Sequence, residues 1–265
     1  MNFWIVDTFA KKAFQGIPSA VFFVENLDNE ELLQNIAMEI NTPETIFLKD
    51  LQNGDFESVC FTPKAKGLFF GNSLFAAAKV IYEKTKNKEF KIISGIRIFV
   101  VKITDSDQIK IRFSTVNLNK VTMPLNLDKA LNDEIIVSLA ECKDELIIEI
   151  RSPKRLINLN PNIDILSNIG YSSFVITTDA HFETNVDYDF CAKVYAPKLG
   201  LYNSLISPIA NTKLAAYWFN RMNKNQFIGA FASEDKNTYF NIEYGDEFTY
   251  ITGDCLISTF GDFLI

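Results

Sequence analysis

Two stretches about half a chain apart carry the same punctuation. Phe61-Thr62-Pro63-Lys64 returns as Tyr195-Ala196-Pro197-Lys198, an offset of 134 (195 − 61). Asn72-Ser73 opens an alanine-rich apolar run, and Asn211-Thr212 opens another, at 139 (211 − 72). Ile36 and Ile40 are matched by Ile165 and Ile169, at 129 (165 − 36). In a chain of 265 residues, offsets near half the length that drift by a few positions predict one duplicated unit. A solenoid repeat would have a far shorter period. The sequence therefore divides into a first lobe over 1–118 and a second over 119–250, with residues 251–265 as final strands.

Local patterning fills in each lobe. Phe3–Thr8 and Ala20–Val24 read as strands around a Gly16–Pro18 turn. Asp28 reads as an N-cap, and Leu32, Leu33, Ile36, Ala37 and Ile40 give helical spacing over 29–40. Pro43 ends that helix. Ile46–Leu48 and Ser58–Thr62 are the next strands, followed by an apolar helix over about 73–84. Its Ala76-Ala77-Ala78 lets strands approach closely. Strand patterns follow at 90–94, 96–104, 108–114 and 116–122. A second cycle begins at Pro161: a helix through Ile169, strands at Phe174–Thr177 and Asp189–Tyr195, a helix over about 211–221, and strands at 226–232, 238–244, 247–251 and 255–259.

Composition limits the function classes. Hydrophobic residues make up 48% and charged residues 22%, enough for a proper core, and 24 Phe predict bulky packing between layers. The net charge of -7 is scattered, without a basic block, which argues against nucleic-acid binding. No run approaches the roughly 20 apolar residues of a membrane span. Cys60, Cys142, Cys191 and Cys255 lie far apart without metal-ligand spacing, so buried reduced thiols and a cytoplasmic location are expected, and no metal. Gly-rich phosphate loops are absent, so no nucleotide cofactor is expected. His181, the single histidine, falls in a loop and reads as a surface residue, which removes Ser-His-Asp and Cys-His mechanisms. Lys64 and Lys198 read as solvated.

The residues in these elements resemble a known family. Asp7-Thr8-Phe9, Phe14-Gln15-Gly16-Ile17-Pro18-Ser19-Ala20-Val21, Asn41-Thr42-Pro43-Glu44-Thr45-Ile46-Phe47, Phe61-Thr62-Pro63, Gly71-Asn72-Ser73-Leu74-Phe75-Ala76-Ala77-Ala78 and the tail Thr252-Gly253-Asp254-Cys255-Leu256 are similar to motifs of the phenazine-biosynthesis PhzF-like family. The resemblance implies a diaminopimelate epimerase-like fold: α+β, two pseudo-symmetric lobes, each a curved mixed or antiparallel sheet wrapped around a central helix. It also implies that the last strand crosses back to the first lobe, and that the chain is a homodimer.

For chemistry, the resemblance gives Glu44 the position of the family's proton-shuttling glutamate. The family histidine of the segment at 71–78 falls on Asn72. A second family segment maps onto Gly200 through Asn211, where Ser204, Pro208, Ile209 and Asn211 replace an aspartate, a glycine, a serine and a histidine. Phe70 stands where epimerases of this fold carry a cysteine. Read on its own, Glu44 is a helix-end charge after a Thr-Pro turn. At the mouth of an apolar strand, however, desolvation would suit it to general acid–base work.

Asn72 and Asn211 read as N-caps. Two helix starts facing a cleft between the lobes would offer N–H groups to a small carboxylate or other anion. The candidate site is thus Glu44 for catalysis, with Gly71, Asn72, Ser73, Ser204, Ala210, Asn211 and Thr212 for binding, and no cofactor. Three functions fit: a cofactor-independent isomerase acting on a small carboxylate, a degraded pseudoenzyme or anion-binding protein, and a structural role through a dimer surface.

Overall fold

The β-branched and aromatic runs of this chain are short and bounded by Gly, Asn and Pro, which favours many short strands over long helices. The computed structural model bears this out and describes residues 1–12, 14–67, 71–182, 186–199, 201–204, 207–233 and 238–264, with the side chains of 182, 199 and 201–204 set aside. The chain forms two units, Met1–Phe113 with Tyr250–Ile265, and Ser114–Thr249.

In the first unit, β1 (Asn2–Thr8), β2 (Ile17–Phe23), α1 (Glu30–Ile40), β3 (Glu44–Asp50), β4 (Phe56–Phe61), α2 (Asn72–Thr85), β5 (Glu89–Ser94), β6 (Arg97–Ile103) and β7 (Ile109–Ser114) follow in order. Strands β1 and β2 pair antiparallel, β2 and β3 parallel, β3 and β4 antiparallel, β4 and β5 parallel, and β5 and β6 antiparallel. Period-two alternation gives the sheet two buried faces. On one, Ala20, Phe22, Phe47 and Phe61 pack with Leu33, Ile36 and Ala37 of α1. The other carries α2, whose residues Leu74 through Ala78, Val80 and Ile81 are all buried against the strands. Helix α1 is capped by Asn29, not Asp28: the Leu32 N–H donates to Asn29 Oδ1 at 3.2 Å.

The second unit holds β8 (Asn119–Lys120), α3 (Leu127–Ala130), β9 (Ile136–Cys142), β10 (Glu145–Ile150), α4 (Pro153–Asn158), α5 (Ile163–Asn168), β11 (Ser173–Asp179), β12 (Phe190–Ala196), β13 (Leu201–Ser204), α6 (Pro208–Met222), β14 (Gln226–Phe231) and β15 (Tyr239–Tyr244), and β16 (Phe248–Gly253) starts in it and ends in the first unit. β17 (Cys255–Asp262), also of the first unit, pairs antiparallel with β1. The pairing series is that of the first unit: β9–β10 antiparallel, β10–β11 parallel, β11–β12 antiparallel, β12–β14 parallel, β14–β15 antiparallel. Helices α4 and α5 stand where α1 stands, and α6 where α2 stands. The duplication read from the two aromatic-x-Pro-Lys segments thus extends to strand direction.

The second cycle begins earlier than Pro161, with the β9–β10 hairpin and α4. In β10, Glu145 and Glu149 interrupt an otherwise apolar run, which hides the strand from a periodicity search. Both face α6 and are matched there. Glu145 is ion-paired to Lys213. Glu149 accepts from the Tyr217 hydroxyl at 2.7 Å and pairs with Arg221 at 2.9 Å.

Candidate active site

The site is assembled at the start of α2. Its N-cap is Gly71, at φ 97 and ψ -8, a conformation that costs a residue with a Cβ about 1–2 kcal/mol. Asn72 is therefore the first helical residue rather than the cap, and Gly71 has no side chain to satisfy the N–H groups above it. One of them finds its acceptor elsewhere in the chain: the Ser73 N–H donates to Glu44 Oε2 at 2.8 Å.

Glu44 reaches this point because it opens β3, directly after the turn that ends α1. Asn41 stops that helix in the left-handed region, φ 56. The Thr42 hydroxyl then fastens the turn to β3, donating to the Glu44 carbonyl at 2.9 Å and lying 3.1 Å from the Thr45 hydroxyl. The Glu44 side chain is 1% exposed, so the solvated helix-end alternative does not hold. A carboxylate beside the free N–H groups and positive end of a helix is stabilised.

Cys60 of β4 lies on the same sheet face, with Sγ 3.4 Å from Ser73 Oγ. Burial, and then the Glu44 charge, hold its thiol well above the ordinary value. It stays protonated and unreactive, in keeping with the buried reduced thiols expected from the sequence. Asn72 is 4% exposed, and its Oδ1 is buried with no hydrogen-bond partner. An unsatisfied buried amide oxygen costs about 1–3 kcal/mol.

In the second unit, the start of α6 is arranged differently. The helix begins at Pro208, so Asn211 lies one turn inside it and is not its cap. Ser207 is the N-cap, and its Oγ accepts from the Ala210 N–H at 3.1 Å. Asn211 is fully buried. Its Nδ2 donates to the Ser207 carbonyl at 3.2 Å, and its Oδ1, without a partner, faces β14, 3.0 Å from where a Cβ on Gly229 would stand. The Thr212 hydroxyl donates to the Ile209 carbonyl at 2.8 Å. Pro208 brings no N–H at all. This helix start uses its own side chains internally, in contrast to α2. The backbone of Ser204 pairs with Val194, while its side chain, and the whole of Phe70 and Gly200, lie outside the described residues.

Sequence reasoning passed over the polar seam of Glu145, Glu149, Lys213, Tyr217 and Arg221. Its signal was present: Lys213, Tyr217 and Arg221 recur at four-residue spacing along one helix. His181 is exposed, with Nδ1 2.5 Å from Asp179 Oδ1, and Lys64 and Lys198 are exposed. Among the described residues no group of three His, Cys, Asp or Glu could hold a metal ion, and no helix is long and apolar enough to cross a membrane.

Residues 6–254 match the family described as phenazine biosynthesis-like protein. Among curated proteins, an uncharacterized isomerase of Halalkalibacterium halodurans is 27% identical over 237 residues, covering 87% of this chain and 86% of that one. Among solved structures, a phenazine biosynthesis protein of the PhzF family from Enterococcus faecalis superimposes with a TM-score of 0.89 at 20% identity, over 100% of this chain and 99% of the other. A putative PhzC/PhzF protein from Clostridium difficile gives 0.86 at 24% identity, with both chains covered at 100%. These structures share the fold.

Proposed function

Because the chain belongs to the phenazine biosynthesis-like protein family, we propose that it is a cofactor-independent isomerase in which Glu44 moves a proton on a small carboxylated substrate. The observation that carries this reading is the buried Glu44 carboxylate held by the Ser73 N–H at the start of α2. In the proposed reaction, Glu44 takes a proton from a substrate carbon. The C–H electron pair stays on the substrate, delocalised towards its carboxylate. The proton then returns to another carbon, and Glu44 is regenerated.

The helix start gives this exchange a physical basis. Before transfer, the negative charge lies on Glu44, beside the positive end of α2. Afterwards Glu44 is neutral, the charge has passed to the substrate, and the same N–H groups and dipole stabilise it there. A buried setting strengthens both interactions. Asn72 and Gly71 flank this point in the proposal. In the second unit Ala210, Asn211 and Thr212 remain proposed binding residues together with Ser204. Their hydrogen bonds within α6 support a shaping role more than direct N–H donation.

Incubation of wild type and Glu44→Gln with a library of small carboxylates in heavy water tests the reading. Deuterium entering one compound with wild type only is the predicted result. Equal incorporation by both proteins overturns it.

A further inference from the structure

On the sheet face that carries α2, one more polar group stands beside Glu44. Ser19 of β2 is the registered partner of Glu44 in the parallel β2–β3 ladder, and registered residues project from the same face. Neighbouring strands lie about 4.8 Å apart, so the two side chains are immediate neighbours. Ser19 is 0% exposed, and its Oγ has no hydrogen-bond partner. The neighbouring hydroxyls are differently placed: Thr45 faces the other way and is held by Thr42, and Ser73 Oγ contacts Cys60. A serine buried without a partner at this position is unfavourable where an alanine would fit without penalty. Its setting beside the one buried carboxylate of the site supplies the reason.

We propose that Ser19 is a positioning residue for Glu44, its hydroxyl turning about the Cα–Cβ bond from the unpartnered position seen here to donate to the carboxylate and to accept from the carboxylic acid as the proton comes and goes. A proton-transfer carboxyl alternates between acceptor and donor, and needs a neighbour able to reverse with it. The Ser73 N–H only donates, and Asn72 Oδ1 only accepts. A hydroxyl does both. The titratable group that faces Glu44 from β4 is Cys60, held protonated, while α2 contributes the neutral Asn72 and Ser73. This rests on the proposed role of Glu44, but its test needs no substrate.

The experiment is a 13C titration of the full-length chain labelled at the glutamate δ carbon. The Glu44 resonance is identified by its loss in Glu44→Gln. Removing the hydroxyl in Ser19→Ala takes a bond from both forms, and the bond to the charged carboxylate is the stronger, so Glu44 is expected to bind its proton about three- to tenfold more tightly than in wild type. Because the folded chain then holds the charged carboxylate less firmly, the folding equilibrium at neutral pH is expected to weaken by the same factor of about three- to tenfold. Thr45→Val removes a hydroxyl from the opposite face of β3 and should leave the Glu44 titration within about twofold. An unchanged titration in Ser19→Ala, or an equal change in Thr45→Val, overturns the proposal. A failed deuterium screen with this titration shift intact would sink the isomerase reading alone.

Discussion

The Glu44 carboxylate, at the first position of β3, accepts the backbone N–H of Ser73, at the second position of α2, over 2.8 Å. One side chain thereby caps a helix that begins 28 residues later (72 − 44) and occupies the point where the proposed chemistry takes place. These two roles separate by substitution. Glutamine keeps an acceptor for Ser73 and loses only the charge, so Glu44→Gln should cost no more than about 1 kcal/mol in urea unfolding. Alanine leaves the N–H unsatisfied and a void beside it, and Glu44→Ala should cost about 2–4 kcal/mol. Equal losses in the two variants would contradict the capping geometry.

Asn72 gives the opposite sign. Its buried Oδ1 makes no hydrogen bond, so a side chain of similar volume without polar atoms relieves a penalty. Asn72→Leu should unfold at the same temperature as wild type or higher, by up to about 1 kcal/mol, while the deuterium exchange proposed for the wild type falls. A large loss of stability would show that the amide is structural.

Gly71 tests the helix start itself. With φ at 97, Gly71→Ala should destabilise by about 1–2 kcal/mol, measured by urea unfolding, although no contact is removed.

The outline of the fold was legible because duplication and period-two patterning are carried by many residues together. The first-lobe strands and α2 stand within a few residues of their sequence-based bounds. Glu44 became a site residue chiefly through the resemblance, since nothing local in Thr42-Pro43-Glu44 shows that its carboxylate accepts from the Ser73 N–H. Asn72 and Asn211 were misplaced for a physical reason: Asn before an apolar helix satisfies the same statistics at the cap and just inside it. Gly71 and Ser207 take the cap positions through backbone conformation and loop entry. The β9–β10 hairpin was hidden because Glu145 and Glu149 find their partners on α6, far along the chain.

The polar seam of the second unit yields its own expectation. Tyr217 is buried, its hydroxyl held well above the ordinary tyrosine value chiefly by that burial, and it donates to Glu149. Tyr217→Phe should cost about 1–3 kcal/mol, because Glu149 loses a donor while remaining 6% exposed. Chemical denaturation measures this directly.

Tyr195 sets a pH dependence. Burial raises it from 10.0 to about 12, and its hydroxyl donates to the Leu159 carbonyl at 3.0 Å. The folded chain holds this proton more tightly than the unfolded chain. The contribution is therefore complete below pH 10 and is lost as pH rises from 10 towards 12. In Tyr195→Phe the fall in stability across that window should be shallower than in wild type, as followed by circular dichroism.

The central claim concerns one carboxyl group, and isotope transfer is its most direct measure. Wild type and Glu44→Gln, first matched for folding by their unfolding curves, are each given the same carboxylates in heavy water, and the products are weighed by mass spectrometry. The account predicts a one-deuteron gain with wild type and none with the variant. A folded variant that still delivers the deuteron, or a wild type that labels nothing, would contradict it.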